Sequence, residues 1–131
     1  YTYCPDVCPM SLSHLKVGML ELAEQAKEVQ VLFVSIDPER DTPEKLKDYV
    51  PYFHPDFIGL TGSVNDVAEV ARQYGARYFK EYVESVEGYF MAHTDAVFLV
   101  DQEGRYRGRY KTEWDMEKLV SDIQWLLNSG S

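Results

Sequence analysis

The spacing of apolar and polar positions changes period several times along this chain, and each period predicts an element. From Pro9 the apolar residues Met10, Leu12, Leu15, Met19, Leu22, Ala23 and Ala26 recur at three- and four-residue steps, the signature of one helix face. Pro9 suits a first helical turn, so the pattern predicts a helix over 9–27. The run Val29-Gln30-Val31-Leu32-Phe33-Val34-Ser35-Ile36 is β-branched and apolar on both faces, which predicts a central strand covered by helices on each side. The polar stretch 37–43 turns the chain and launches a second helix, with Asp41 or Thr42 as cap, Pro43 just inside and an end near Phe53.

Residues 57–60 read as a short strand, and Ser63 followed by Asp66 resembles a capping box for a third helix over 64–74, stopped by Gly75. Residues 76–79 read as extended and 81–88 as an acidic loop, giving a strand-loop-strand excursion. The apolar run 96–100, the Gly104 turn and residues 105–110 form a predicted hairpin. A last helix over 115–127 places Met116, Leu119, Ile123, Leu126 and Leu127 on one stripe. Tyr1-Thr2-Tyr3 is β-prone but too short for a strand of its own and reads as the tail of one. The order of elements implies an α/β fold, a mixed sheet flanked by helices. In such sheets chemistry gathers where a first strand ends and a helix begins.

The totals narrow this picture. A chain of 131 residues with 45% apolar content predicts a single domain over 1–131. The net charge is −9, from 13 Lys plus Arg against 22 Asp plus Glu, and without a basic stripe nucleic acid is not an expected partner. No apolar run approaches the roughly 20 residues that span a bilayer.

Both cysteines lie in Cys4-Pro5-Asp6-Val7-Cys8-Pro9, at the predicted strand-to-helix junction. Side chains four apart on a helix have Cβ atoms about 5–6 Å apart, and a disulfide needs about 3.5–4.5 Å. A modest adjustment therefore closes a disulfide or clamps one metal ion. A bridge across so short a loop adds little stability, which argues for chemistry over stapling. The helix N-terminus favours thiolate, while the charge of Asp6 opposes it. Soft sulfur selects Cu(I), zinc or iron–sulfur clusters, and two sulfurs alone do not choose among them. Of the three histidines, His14 falls inside the first helix and His54 in a turn. His93 precedes the apolar strand 96–100, in a predicted loop at a strand edge, where the residues alone leave it a solvated loop histidine. A set of Cys4, Cys8 and His93 is short of the four protein ligands of structural zinc. Three soft ligands suit copper better, and the four cysteines of an iron–sulfur cluster are lacking.

Three blocks of sequence resemble the Sco/SenC family, copper-binding thioredoxin-like proteins that assist cytochrome c oxidase assembly. They are Tyr-Thr-Tyr-Cys-Pro-Asp-Val-Cys-Pro at 1–9, Phe-Val-Ser-Ile-Asp-Pro-Glu-Arg-Asp-Thr-Pro at 33–43, and His-Thr at 93–94. Residues 59–63 and 67–74 also resemble the family, so the likeness covers essentially the whole chain. It implies a thioredoxin-like fold, one copper ion, Cu(I) or Cu(II), held by Cys4, Cys8 and His93, and a Cys4–Cys8 pair able to form a disulfide instead. Asp37 would support the site, with a role in the turn and helix entry as its plainer reading, and Arg40 shares that plainer reading.

The resemblance further implies a copper metallochaperone serving the dinuclear copper centre of cytochrome c oxidase subunit II or another copper protein. The alternative is a thiol–disulfide oxidoreductase that reduces the cysteines of that centre. Either role implies an extracytoplasmic place, at the outer face of a bacterial plasma membrane or in the mitochondrial intermembrane space. Two departures stand out. Ala92 occupies the position where many members have Asp, with Asp95 nearby. The family's membrane anchor, β-hairpin and remainder of the first central strand also have no counterpart before Cys4. The expectation is therefore a fragment lacking its N-terminal strands, or a sheet completed by another segment, because a strand at 29–36 without that neighbour would expose backbone groups.

Overall fold

A computed structural model of the chain describes residues 1–2, 7–82, 89–93, 96–111 and 113–129, without the side chains of residues 7, 8, 90, 92 and 93. In chain order its elements are helix α1 (Val7–Leu22), strand β1 (Leu32–Val34), helix α2 (Pro43–Tyr49), strand β2 (Ile58–Leu60) and helix α3 (Val64–Tyr74). Strands β3 (Tyr78–Glu81), β4 (Phe90–His93), β5 (Val97–Val100) and β6 (Tyr106–Tyr110) and helix α4 (Met116–Asn128) follow. They divide between two compact units, Tyr1–Pro9 with Val31–Thr94 and Met10–Gln30 with Asp95–Ser131.

In the first unit β1 and β2 pair in parallel, with Phe33 opposite Gly59. Gly59 is required there, because a Cβ would lie 2.9 Å from Leu46 Cβ and 3.0 Å from Val50 Cγ2. Both of those side chains are buried, so one face of the pair is closed by α2 and the turn after it. Thr42 caps α2 by accepting the Lys45 N–H at 3.2 Å, and Pro43 begins the helix. Ser63 caps α3 through the Asp66 N–H at 3.0 Å, and Gly75 ends it at φ 71°. Strands β3 and β4 are antiparallel, with Tyr78 opposite His93. A core cluster centres on Tyr1 and Met91, packed by Phe33, Ile36, Tyr78 and Tyr89.

In the second unit α1 and α4 meet at Gly18, where a Cβ would stand 2.6 Å from Met116 Cε. The hairpin β5–β6 carries a register shift at Leu99/Val100 and turns through Gly104 at φ 82°. It is tied to α4 by Tyr110, whose hydroxyl donates to Asp122 Oδ2 at 2.6 Å.

The predicted pairing of parallel and antiparallel strands is present as three two-stranded ladders among the described residues. Several boundaries differ from the expectations. The strand predicted over 29–36 is ordered as β1 for three residues only. Along it Leu32 is 54% and Val34 39% exposed. Alternate side chains of a pleated strand point to opposite faces, and α2 closes the face of Phe33 and Gly59. The first helix begins at Val7 and changes at Ala23, whose φ of 52° breaks the regular path, into a 3₁₀ segment Ala23–Glu28. Met10 and Ala23, expected on its apolar face, are exposed. The second helix ends at Tyr49 and continues as a 3₁₀ turn Val50–Tyr52, because Pro51 has no N–H to extend the α-helical ladder. His93 is the last residue of β4, paired across the ladder, where a loop was expected.

Candidate metal centre

The chemistry predicted for Cys4, Cys8 and His93 bears on two segments. Cys4 and its neighbour Asp6 lie outside the described residues. The backbone of Cys8 is in the first turn of α1, where unpaired N–H groups favour thiolate over thiol. The backbone of His93 closes β4, and that of Ala92 precedes it opposite Phe79. The side chains of Cys8, Ala92 and His93, and the whole of Asp95, lie outside the description. Among the described residues no three His, Cys, Asp or Glu side chains converge to hold a metal. The other two histidines take the structural places expected of them. His14 is half-buried in α1. His54 stacks on Phe57 at 4.9 Å between ring centroids and accepts the Asp56 N–H on Nδ1 at 3.0 Å.

The residues from Ser35 to Asp41 join the two segments. Asp37 turns the chain with its backbone, its carbonyl accepting the N–H groups of Arg40 at 3.1 Å and Asp41 at 2.9 Å. Its side chain, 2% exposed, accepts from Arg40 Nε at 2.5 Å and from the Tyr89 hydroxyl at 2.9 Å. The Arg40 guanidinium lies 3.8 Å from the centroid of the Tyr89 ring, and Lys80 Nζ lies 4.8 Å from it. Tyr89 immediately precedes β4, so Asp37 grips the entrance to the strand that ends at His93.

Electrostatics reinforce this grip. Burial, followed by the hydrogen bond to Asp37, pushes the Tyr89 phenol above its ordinary pKa. Burial works against the charge of Arg40, but the hydrogen bond to Asp37 and the negative charge there outweigh it and hold the guanidinium above its ordinary value. Both groups therefore keep their protons, and both remain donors to Asp37.

Asp41 was a candidate helix cap; Thr42 has that role, and Asp41 is instead fully buried. It accepts the Ser35 hydroxyl at 2.6 Å, the backbone N–H of Thr2 at 3.0 Å and the hydroxyl of Thr2. Ser35 in turn accepts the Asp37 N–H at 3.1 Å. The Tyr1 hydroxyl accepts the backbone N–H of Met91 at 2.9 Å. The residues that lead into Cys4 and those that lead into His93 thus share one set of buried partners. Tyr89 escaped the sequence reading because its partner lies 52 positions away and no local pattern marks such a contact.

A model of the SCO1/SenC family matches residues 1–128 of the chain. The mitochondrial SCO2 protein of Saccharomyces cerevisiae is 37% identical over 131 residues, covering 95% of this chain and 43% of its own length. The chain spans about half the length of the curated relatives it matches. Among solved structures, Arabidopsis thaliana ScoI with copper bound superposes with a TM-score of 0.88 at 33% identity, over 98% of this chain and 80% of that one. Apo Sco1 from Thermus thermophilus superposes with a TM-score of 0.83 at 42% identity, over 96% and 74%. This chain shares their thioredoxin-like α/β fold.

Proposed function

Because the chain belongs to the SCO1/SenC family, we propose that it is a copper metallochaperone that carries one copper ion on the thiolates of Cys4 and Cys8 and the imidazole of His93. The observation that carries this reading is the copper held by its solved Arabidopsis relative. The donor set agrees with it: two soft thiolates suit Cu(I), and an imidazole beside them suits either copper oxidation state. Cys4 and Cys8 stand one helical turn apart in sequence, with Cys8 in the first turn of α1. Asp37 supports the site by holding the turn and Tyr89, since both of its oxygens are already engaged by Arg40 and Tyr89.

The cargo would pass to the dinuclear copper centre of cytochrome c oxidase subunit II or to another copper protein. The place would be extracytoplasmic, on a membrane-tethered parent; the curated relatives from yeast and cattle are mitochondrial. Among the described residues no helix is long and apolar enough to cross a membrane.

A second reading rests on the place of Cys8 in the first turn of α1, which favours the attacking thiolate. In it the Cys4–Cys8 dithiol attacks a target disulfide through a mixed disulfide. The target's two thiols are released reduced, and Cys4 and Cys8 are left as the disulfide.

Copper titration of the reduced protein, followed by absorption, separates the two. Thiolate-to-Cu(II) charge-transfer bands that vanish in His93→Ala, with disulfide exchange preserved, are expected for the three-ligand carrier. Exchange that collapses in His93→Ala while copper affinity stays intact overturns it.

A further inference from the structure

Cys4 and Cys8 are four positions apart, so their spacing is set by local sequence. The separation between that pair and His93 is not, because the two segments are distant in sequence. Among the described contacts, one crosses directly from one segment to the other: the Tyr1 hydroxyl accepts the Met91 N–H at 2.9 Å. Tyr1 stands three residues before Cys4, and Met91 two before His93. Tyr1 is 4% exposed and shares a core cluster with Met91, so the contact is buried. Thr2, the next residue, is held twice by Asp41. Asp41 is itself fixed by Ser35 and follows Asp37, which grips Tyr89 at the head of β4.

We infer that Tyr1 and Asp41 are positioning residues for copper capture: together they hold the segment entering Cys4 in register with the strand that ends at His93. The inference rests on the three-ligand reading above and adds residues that touch no metal. An Asp41 carboxylate that accepts from Ser35 and Thr2 organises backbone, and a Tyr1 phenol that accepts a strand N–H fixes register. Both residues lie outside the stretch from Cys4 to Cys8. Their loss should therefore weaken a site that needs His93 while sparing chemistry confined to the cysteine pair.

The test is a cycle of Tyr1→Phe and Thr2→Val against His93→Ala in the full chain. Tyr1→Phe keeps the buried ring and removes the acceptor of the Met91 N–H. Thr2→Val keeps the shape and removes one donor to Asp41. Copper affinity is measured by competition with a chelator of known affinity. Exchange of the Cys4–Cys8 pair with glutathione is measured alongside. Each variant should lose about tenfold in copper affinity, the low end of what outer partners of a metal site contribute, with exchange rates held within about twofold. In the His93→Ala background the loss should shrink to less than about twofold, since residues that act through one another are not additive. A loss of full size in that background overturns the positioning role and leaves the three-ligand site standing. Unchanged copper affinity in both variants does the same. If His93→Ala alone leaves copper affinity intact, the three-ligand reading falls and this inference falls with it.

Discussion

Replacing Asp37 by alanine removes the buried acceptor of two half-buried donors at once, and the consequence can be worked from the geometry. The carboxylate is 2% exposed and its partner Arg40 has a side chain 23% exposed. Hydrogen bonds to a charged group contribute roughly 1.5–3 kcal/mol each, and breaking a buried ion pair costs about 3–5 kcal/mol. Arg40 keeps some access to water and its stacking on Tyr89, which places the expected cost near the lower end, about 3 kcal/mol. Asp37→Asn keeps one acceptor oxygen and should cost about half of that.

Urea denaturation reads this directly: with m unchanged, the midpoint should fall by roughly 1–2 M for alanine. Tyr89→Phe alone should cost about 1 kcal/mol, and its effect should largely disappear once Asp37 is gone, because the two groups share one bond. A midpoint within about 0.3 M of the parent, or fully additive effects of the two substitutions, would refute the account of Asp37 as the clasp on Tyr89. A ligand role would show differently. The charge-transfer spectrum of the copper protein would change in Asp37→Asn under conditions where the chain is folded; on the present reasoning that spectrum stays the same.

Gly59→Ala should destabilise the chain by about 1–3 kcal/mol in the same assay, since the new Cβ meets Leu46 Cβ at 2.9 Å and Val50 Cγ2 at 3.0 Å. Thr42→Ala removes the cap of α2 and should cost about 1 kcal/mol, with Thr42→Ser restoring most of it. Tyr110 is pushed up to about 12, first by burial and then by its hydrogen bond to Asp122. The unfolded chain releases that proton near pH 10, so between about pH 10 and 12 the folded state binds more protons and stability falls as pH rises. The contribution is complete below about pH 10, and melting temperatures of Tyr110→Phe should lack this alkaline limb.

Elements whose ends are written in local chemistry were legible. Ser63 with Asp66 and Gly75 bracket α3 as expected, and Pro43 and Thr42 open α2. The Gly104 turn joins β5 to β6. Where one residue supplies a cap or a positive φ, the cause lies within a few positions of its effect. The run 29–36 misled for the opposite reason. Continuous apolar sequence reports affinity for a core, but not how many residues pair or which layer covers each face. Ala23 carries no mark of its left-handed φ, and the apolar periodicity runs through it. The place of His93 just before the apolar run 96–100 predicts a loop, yet pairing with Tyr78 extends β4 to it. Of the candidate site, the motif residues are proposed from resemblance alone, whereas the frame of Tyr1, Thr2, Asp41 and Tyr89 consists of contacts 39 to 90 positions apart.

That frame explains why the loop from Ser35 to Asp41 is so polar and so deeply buried. Ser35, Asp37 and Asp41 are three of the buried polar residues among those described, each at most 2% exposed. Two carboxylates placed this close and this deep are unfavourable unless each finds donors. Of the described donors, Ser35 and Arg40 are local, and the others come from Thr2 and Tyr89. The burial of Asp37 and Asp41 is therefore fully compensated only when the segment before Cys4 and the segment before His93 both stand against the loop. An apolar loop of the same shape would tolerate either segment alone. The acidic loop makes joint docking the low-energy state, and joint docking brings together the two segments that a site drawn from Cys4, Cys8 and His93 must combine.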